Sequence, residues 1–326
     1  MQLVLDTKGI QISKKGGSFY VVSEKSSRTI SPEKLSSIAV TATVWIGSDA
    51  VKLAIKHEIP ILFFNNIGKA TARLWSPYFG SIATLRRQQL RFTESVEATA
   101  WLIDLFALKT EGQVANLRFI KSQRKGLNLA LGQAAQNINK HLRSFERFRG
   151  VLPEECRQAM MGVEGNIGRL YWQAIGNALP RQYVFQERSR RPAKDHFNAA
   201  LNYLYGMTYS VVETGLLAAG LDPHLGMLHV DEYNKSTLTF DLIEPFRPWV
   251  DHLLIEQCFE KKLEKSFFTK NQYGLFLNKT GKAFIIPLFN DFLRSERTFL
   301  NQQSNVRNQI YFLMQKLAQR IRHVEG

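Results

Sequence analysis

Three stretches of this chain place acids or an imidazole at spacings that can serve chemistry. In Met161-Gly162-Val163-Glu164-Gly165-Asn166-Ile167-Gly168-Arg169, Val163 and Ile167, with Leu170 beyond them, form the apolar stripe of a helix. Glu164 sits at the edge of that stripe. Gly165 and Gly168 lie beside it, and each glycine inside a helix costs about 1 kcal/mol relative to alanine. Such a surface suits the close approach of another molecule; the plain alternative is a loose helix end with a solvated glutamate. The second stretch, Gly220-Leu221-Asp222-Pro223-His224-Leu225-Gly226-Met227-Leu228-His229, is a turn-rich loop. Its two histidines are five apart, the wrong spacing for two ligands on one helix face; one of them is a candidate ligand, the plain alternative being a structural hydrogen-bonder. The third is Thr239-Phe240-Asp241-Leu242-Ile243-Glu244-Pro245-Phe246-Arg247-Pro248. In the first turn of a helix Asp241 and Glu244 share a face, and two such acids repel unless a cation lies between them. Asp-x-x-Glu also fits a helix cap, and Pro245 is tolerated in a first turn under either reading.

Taken together, the stretches offer Glu, His and Asp/Glu in one region. Hard oxygen ligands with a single imidazole suit Mn²⁺ or Mg²⁺ better than a closed zinc site. Such an ion binds phosphate oxygens and stabilises charge on a phosphodiester under in-line attack. The only cysteines are Cys156 and Cys258, which excludes a disulfide scaffold and a cysteine-rich zinc module.

The charge balance supplies a substrate class. Among 326 residues, 43 Lys and Arg stand against 28 Asp and Glu, a net charge of +15. That excess attracts polyanions, with nucleic acid or an anionic membrane surface as the candidates. The basic side chains cluster in three patches. Arg188, Arg190, Arg191 and Lys194 form one, with Tyr183 and Phe185 upstream; Lys261, Lys262 and Lys265 form a second; Arg86, Arg87 and Arg91 form a third. Each is also compatible with an ordinary solvated face. The opening residues carry no basic leader before an apolar core, and the longest uncharged stretch, residues 196–212, is rich in Asn and Tyr. The expectation is a cytoplasmic protein with no membrane contact.

The elements that must position these groups fall into two characters. Up to about residue 74 the pattern is β: Leu3-Val4-Leu5, Ile10-Gln11-Ile12-Ser13, Phe19-Tyr20-Val21-Val22, Ile38-Ala39-Val40 and Thr43-Val44-Trp45-Ile46. Ser48-Asp49 reads as a helix cap over residues 50–56. Residues 59–64 read as a buried strand, Asn65-Asn66-Ile67-Gly68 as a turn, and residues 76–84 as a linker. Apolar residues then recur at helical spacing over residues 96–121, 127–148, 153–175, 197–217, 248–263 and 289–323, with a short hairpin expected from residues 273–277 and 283–286. The expected class is α+β: a small N-terminal β-rich domain over residues 1–80, then a large all-α C-terminal domain over residues 84–326 carrying the metal site.

The ordered set Glu164-Gly165, Gly226-Met227-Leu228-His229 and Phe240-Asp241-Leu242-Ile243-Glu244-Pro245-Phe246-Arg247-Pro248 resembles the CRISPR-associated adaptation integrase, the universal first-numbered Cas protein. The resemblance covers essentially the whole chain. Ile46-Gly47-Ser48-Asp49-Ala50 through Ile59-Pro60-Ile61-Leu62-Phe63 is similar to that family's β domain, and Arg86-Arg87-Gln88 to the entry of its helical domain. Arg191-Pro192-x-x-Asp195-x-x-Asn198 is similar to a further segment, although Ala193 stands where many members carry a second proline. The resemblance implies that Glu164, His229 and Glu244 are ligands of Mn²⁺ or Mg²⁺. His229 is chosen over His224 because it holds the Gly-x-x-His position. It further implies that Asp241 supports the site, that Arg247 anchors the loop or a phosphate, and that Asp195 and Asn198 brace the site from a neighbouring helix. The implied activity is endonuclease and integrase chemistry on double-stranded DNA: the 3′-hydroxyl of a captured fragment (the protospacer) attacks a phosphodiester of the CRISPR array. The implied assembly is a homodimer through the β domains, with a small ferredoxin-like companion Cas protein. Two other readings compete with this one: a non-catalytic DNA-binding homologue that organises ends for another enzyme, and an unrelated basic helical protein in which Asp241 and Glu244 are only a cap.

Overall fold

The computed structural model describes residues 2–322, apart from residues 25, 36, 58, 65–69, 75–81, 191 and 230–234. The expected turn at residues 65–68 and most of the expected linker lie outside the described residues; from Ile82 the chain is already helical. The chain divides into two compact units, Met1–Ser81 and Ile82–Gly326.

The first unit holds two four-stranded sheets and one helix. Strands β1 (Gln2–Leu5), β5 (Ser37–Val40), β7 (Ile61–Phe64) and β8 (Ala70–Leu74) lie in that order; β5 runs parallel to both β1 and β7, and β8 is antiparallel to β7. All four residues of β5 are buried, which explains its continuous apolar reading apart from Ser37. Strands β4 (Ser27–Ile30), β3 (Ser18–Val22), β2 (Gln11–Lys15) and β6 (Trp45–Ile46) form the second sheet. Strand β4 escaped sequence reasoning because it is a polar edge with only Ile30 buried. Helix α1 (Ser48–Lys56) turns Ala50, Leu53 and Ala54 inward. Its expected Ser48-Asp49 cap takes another form. Gly47 is the cap residue, while the Asp49 carboxylate accepts from the backbone N–H of Ala50 and of Lys14 on β2, both at 2.8 Å, tying helix to sheet.

The second unit is mostly helical: α2 (Ile82–Thr93), α3 (Val96–Gln123), α4 (Asn128–Arg143), α5 (Pro153–Ala178), α6 (His196–Ala218), α7 (Thr237–Leu242), α8 (Arg247–Phe259), α9 (Lys279–Arg294) and α10 (Val306–Arg322). The starts follow local chemistry. Ser95 accepts from Ala98 N–H at the head of α3, Pro153 occupies the first turn of α5, and Asp195 accepts from Asn198 N–H at 2.8 Å to start α6. Among the described residues, no helix is long and apolar enough to cross a membrane.

The mostly helical second unit, in which one short hairpin was expected, carries two. Strands β9 (Phe268–Asn271) and β10 (Gly274–Leu277) pair antiparallel, while residues 283–286, expected as the second strand, lie inside α9. Strands β11 (Glu296–Phe299) and β12 (Gln302–Asn305) interrupt what reads as one long helix over residues 289–323. Their turn places Leu300 and Asn301 at φ 48° and 63°. Tight hairpin turns of this kind usually advertise themselves through glycine. Here they do not, and the strands are polar, so neither cue was available.

Helix α3 packs against α5, α8 and the short turn before α8. At Gly112 the approach is close: an added Cβ would lie 2.7 Å from Pro248 Cβ. Gly112→Ala is therefore expected to lower stability by about 1 kcal/mol, because overpacking against a rigid ring exceeds the gain in helix propensity. Urea unfolding checks this, and an unchanged or raised midpoint would refute it.

Candidate active site

Three elements of the second unit bring the acids together. Helix α3 presents Lys109, α5 presents Glu164, and a 3-10 turn at Glu244–Phe246, between α7 and α8, presents Glu244. The Lys109 ammonium lies 2.5 Å from Glu164 Oε1 and 2.6 Å from Glu244 Oε2, so the two carboxylates face one another across a single cation. Glu244 and Lys109 are buried, whereas the Glu164 side chain is 34% exposed and forms the open rim. Arg247 secures the other Glu244 oxygen, with Nε 2.8 Å from Oε1. Its second nitrogen donates to Tyr209 Oη at 2.6 Å, and its guanidinium stacks over Tyr205.

Asp241 organises the histidine. It sits near the end of α7, fully buried, and accepts the backbone N–H groups of Met227 (2.7 Å), Leu228 (3.1 Å) and His229 (3.2 Å). A further contact joins Asp241 Oδ1 to His229 Nδ1 at 2.6 Å. Thus the Asp-x-x-Glu pattern is not a helix cap here: Asp241 folds the 227–229 loop onto itself and fixes the ring through Nδ1. His224, which is exposed, instead pairs with half-buried Asp222 at 3.2 Å.

The charges respond accordingly. Burial by itself disfavours ionised Glu244, but Arg247 and Lys109, with His229 nearby, outweigh it and hold the carboxyl well below its ordinary range. Burial likewise works against the Lys109 cation, and Glu244 and Glu164 overrule it, raising its affinity for the proton. For His229, burial is countered by Asp241 and by the charge of Glu244, so the imidazole is shifted upward.

The donor set suits a hard divalent cation on three counts. Two acids face each other. An imidazole has its Nδ1 held by a carboxylate, as metal-bound histidines usually do. Glu244 Oε2 is a buried oxygen with an ion contact but no aligned hydrogen bond. Among the described residues, however, no three His, Cys, Asp or Glu side chains close around one point; Lys109 stands between the two glutamates.

Beneath the site lies a buried polar network. Asn116 Nδ2 donates to Tyr171 Oη and to the Pro248 carbonyl, both at 2.8 Å. Tyr171 and Tyr205 donate to the two oxygens of Asp251 at 2.9 and 2.6 Å. These bonds join α3, α5, α6 and α8 directly below Lys109, Glu164 and Arg247.

The basic candidates divide. Arg247 and Arg188, read as DNA-backbone contacts, are spent internally. The Arg188 guanidinium donates to Asn198, Asn202 and the Ser189 carbonyl and lies over Trp172. Asp195 and Asn198 accordingly brace the Arg188 segment and the start of α6 rather than touching Glu164, His229 or Glu244. Lys194 pairs with Glu187 and Lys262 with Glu260, while Arg190 is exposed. Lys261 and Lys265 line a cavity of about 230 Å³ with His196 and Gln182. Arg191 lies outside the described residues. The residue that sequence reasoning missed is Lys109. Its signal was register: Leu102, Leu105, Phe106, Gln113 and Leu117 all point inward on α3, and Lys109 shares their face.

The family model for CRISPR associated protein Cas1 matches residues 3–291. A CRISPR-associated endonuclease Cas1 of Archaeoglobus fulgidus is 31% identical over 262 residues, 77% of this chain and 75% of that protein. The chain belongs to the Cas1 family. Its fold is shared by two solved structures. A casposase bound to integration product superposes with a TM-score of 0.83 at 21% identity, over all of this chain and 91% of that one. A chain of a Cas6-RT-Cas1–Cas2 complex superposes at 0.79 and 22% identity, over 99% of this chain and 35% of that one.

One pH dependence follows from the buried network. Burial raises Asp251 to about 6, against the hydrogen bonds from Tyr205 and Tyr171, which favour its ionised form. A carboxyl raised above its unfolded value of about 4 favours folding most below that pH and loses the contribution as pH rises through about 6. The stability of the wild type relative to Asp251→Asn should therefore fall between pH 4 and 7. Urea unfolding across that range tests it, a flat difference being the contrary result.

Proposed function

We propose that this chain is a divalent-metal-dependent DNA endonuclease and integrase, which joins captured foreign DNA fragments to a CRISPR array as new spacers. The observation that carries the reading is the facing pair Glu164 and Glu244 beside a carboxylate-held His229, in a chain of the Cas1 family whose relatives are named endonucleases. Glu164, His229 and Glu244 hold the ion, Mn²⁺ or Mg²⁺. When bound, that ion supplies Lewis-acid stabilisation of charge on a phosphodiester. Asp241 keeps the His229 ring oriented through Nδ1, and Arg247 keeps Glu244 from turning away. The attacking group is the 3′-hydroxyl of the fragment; water in its place gives hydrolysis at the same centre. The partially exposed Glu164 and His229 define the side from which DNA arrives.

The net charge of +15 supports binding of double-stranded DNA. Arg190, Lys261 and Lys265 are the candidates for backbone contact that have no internal partner described above. The β unit, residues 1–80, serves as the homodimer interface, and a small ferredoxin-like Cas protein is the companion. The complex containing Cas1 and Cas2 among the structures of like fold supports that partner class.

In a strand-transfer assay with a 3′-hydroxyl duplex, a repeat-containing target and Mn²⁺, Glu164→Ala, His229→Ala and Glu244→Ala should each lose on the order of 100-fold or more. DNA binding in EDTA should persist. Retained activity in any two of the three would overturn the assignment. Asp241→Asn should lower activity by roughly 10- to 100-fold through the misoriented imidazole. The same change should be followed in apparent Mn²⁺ affinity, and unchanged values in both would remove Asp241 from the site.

A further inference from the structure

Lys109 has no reason to be where it is in terms of packing. It lies on the inward face of α3, 6% exposed, among Leu102, Leu105, Phe106, Gln113 and Leu117. Its stem passes near the Phe106 ring, 5.8 Å from ammonium to centroid. An ammonium buried in such surroundings is strongly disfavoured unless anions surround it. The anions are Glu164 and Glu244, from two different elements, at 2.5 and 2.6 Å. Without the lysine, two carboxylates would face each other at close range, one of them buried. Lys109 therefore satisfies the same electrostatic demand that a divalent ion satisfies.

We propose that Lys109 is a built-in counter-ion: it holds Glu164 and Glu244 in their facing positions before the metal arrives and competes with the metal for them. The proposal rests on the reading of those two glutamates as ligands. Its contact with Glu244 Oε2, at 2.6 Å, occupies the oxygen that a bound cation would take, so the two compete for one atom. The flexible four-carbon stem lets the ammonium withdraw while the α3 backbone stays in place. Lys109 is thus a positioning residue that sets the affinity of the centre and keeps the metal-free protein ordered.

The test is Mn²⁺ binding, read as free Mn²⁺ by electron paramagnetic resonance, and thermal melting with and without Mn²⁺, on the full chain. In Lys109→Met the Mn²⁺ Kd should tighten by about tenfold or more, and the Tm gain at saturating Mn²⁺ should exceed that of wild type. The metal-free Tm should fall below wild type, and adding Glu164→Gln in the same chain should recover it, which keeps the test valid where the single variant fails to fold. A lysine that merely packs predicts unchanged or weaker Mn²⁺ binding in Lys109→Met, and that result overturns the proposal. So does a Lys109→Met/Glu164→Gln chain that melts no higher than Lys109→Met. If instead Mn²⁺ binding by the wild type is indifferent to both Glu164→Gln and Glu244→Gln, the metal reading itself fails and takes the proposal with it.

Discussion

Two ionised carboxylates held face to face in a folded chain repel unless positive charge or a shared proton lies between them. That constraint organises the second unit. Glu164 and Glu244 come from elements far apart in sequence, and each arrives with its neutralisation arranged: Lys109 between them and Arg247 behind. The cations are drawn from α3 and α8, so the helices that form the core also carry the counter-charges. Removing one partner from such an arrangement is more damaging than replacing the whole of it, because the charge left behind stays buried.

Around this centre the structure separates holding from presenting. Asp241 holds: it is wholly buried and spends its oxygens on three backbone N–H groups and one imidazole. His229 and Glu164 present, each about one-third exposed. The same division explains why so many basic side chains turn inward. Arg188 and Arg247 stack on Tyr205 from neighbouring positions and lock the segments before α6 and α8.

Much of this was legible in the sequence where periodicity or a motif spoke. The β-then-α order and most helix spans could be read from apolar spacing, and the three stretches that carry Glu164, His229 and Glu244 from motif order. What could not be read has physical causes. The β11–β12 hairpin has polar strands and a turn built from Leu300 and Asn301, so it imitates the run of a polar helix face. Arg188 was grouped with a basic patch because sequence does not reveal which guanidinium finds an aromatic face and an internal acceptor. Lys109 was passed over because a lysine amid leucines reads as a break in the stripe, whereas its meaning depends on acids 55 and 135 positions away.

The network under the site has a consequence for how the protein comes into being. Asn116, Tyr171, Tyr205 and Asp251 meet from four helices spread over more than a third of the chain. The bonds to Pro248 and Asp251 cannot close until α8 has left the ribosome, although Asn116 and Tyr171 can pair before it. A truncated copy ending before residue 251 therefore lacks the floor on which the acids stand, and the centre is completed only by a late step of synthesis.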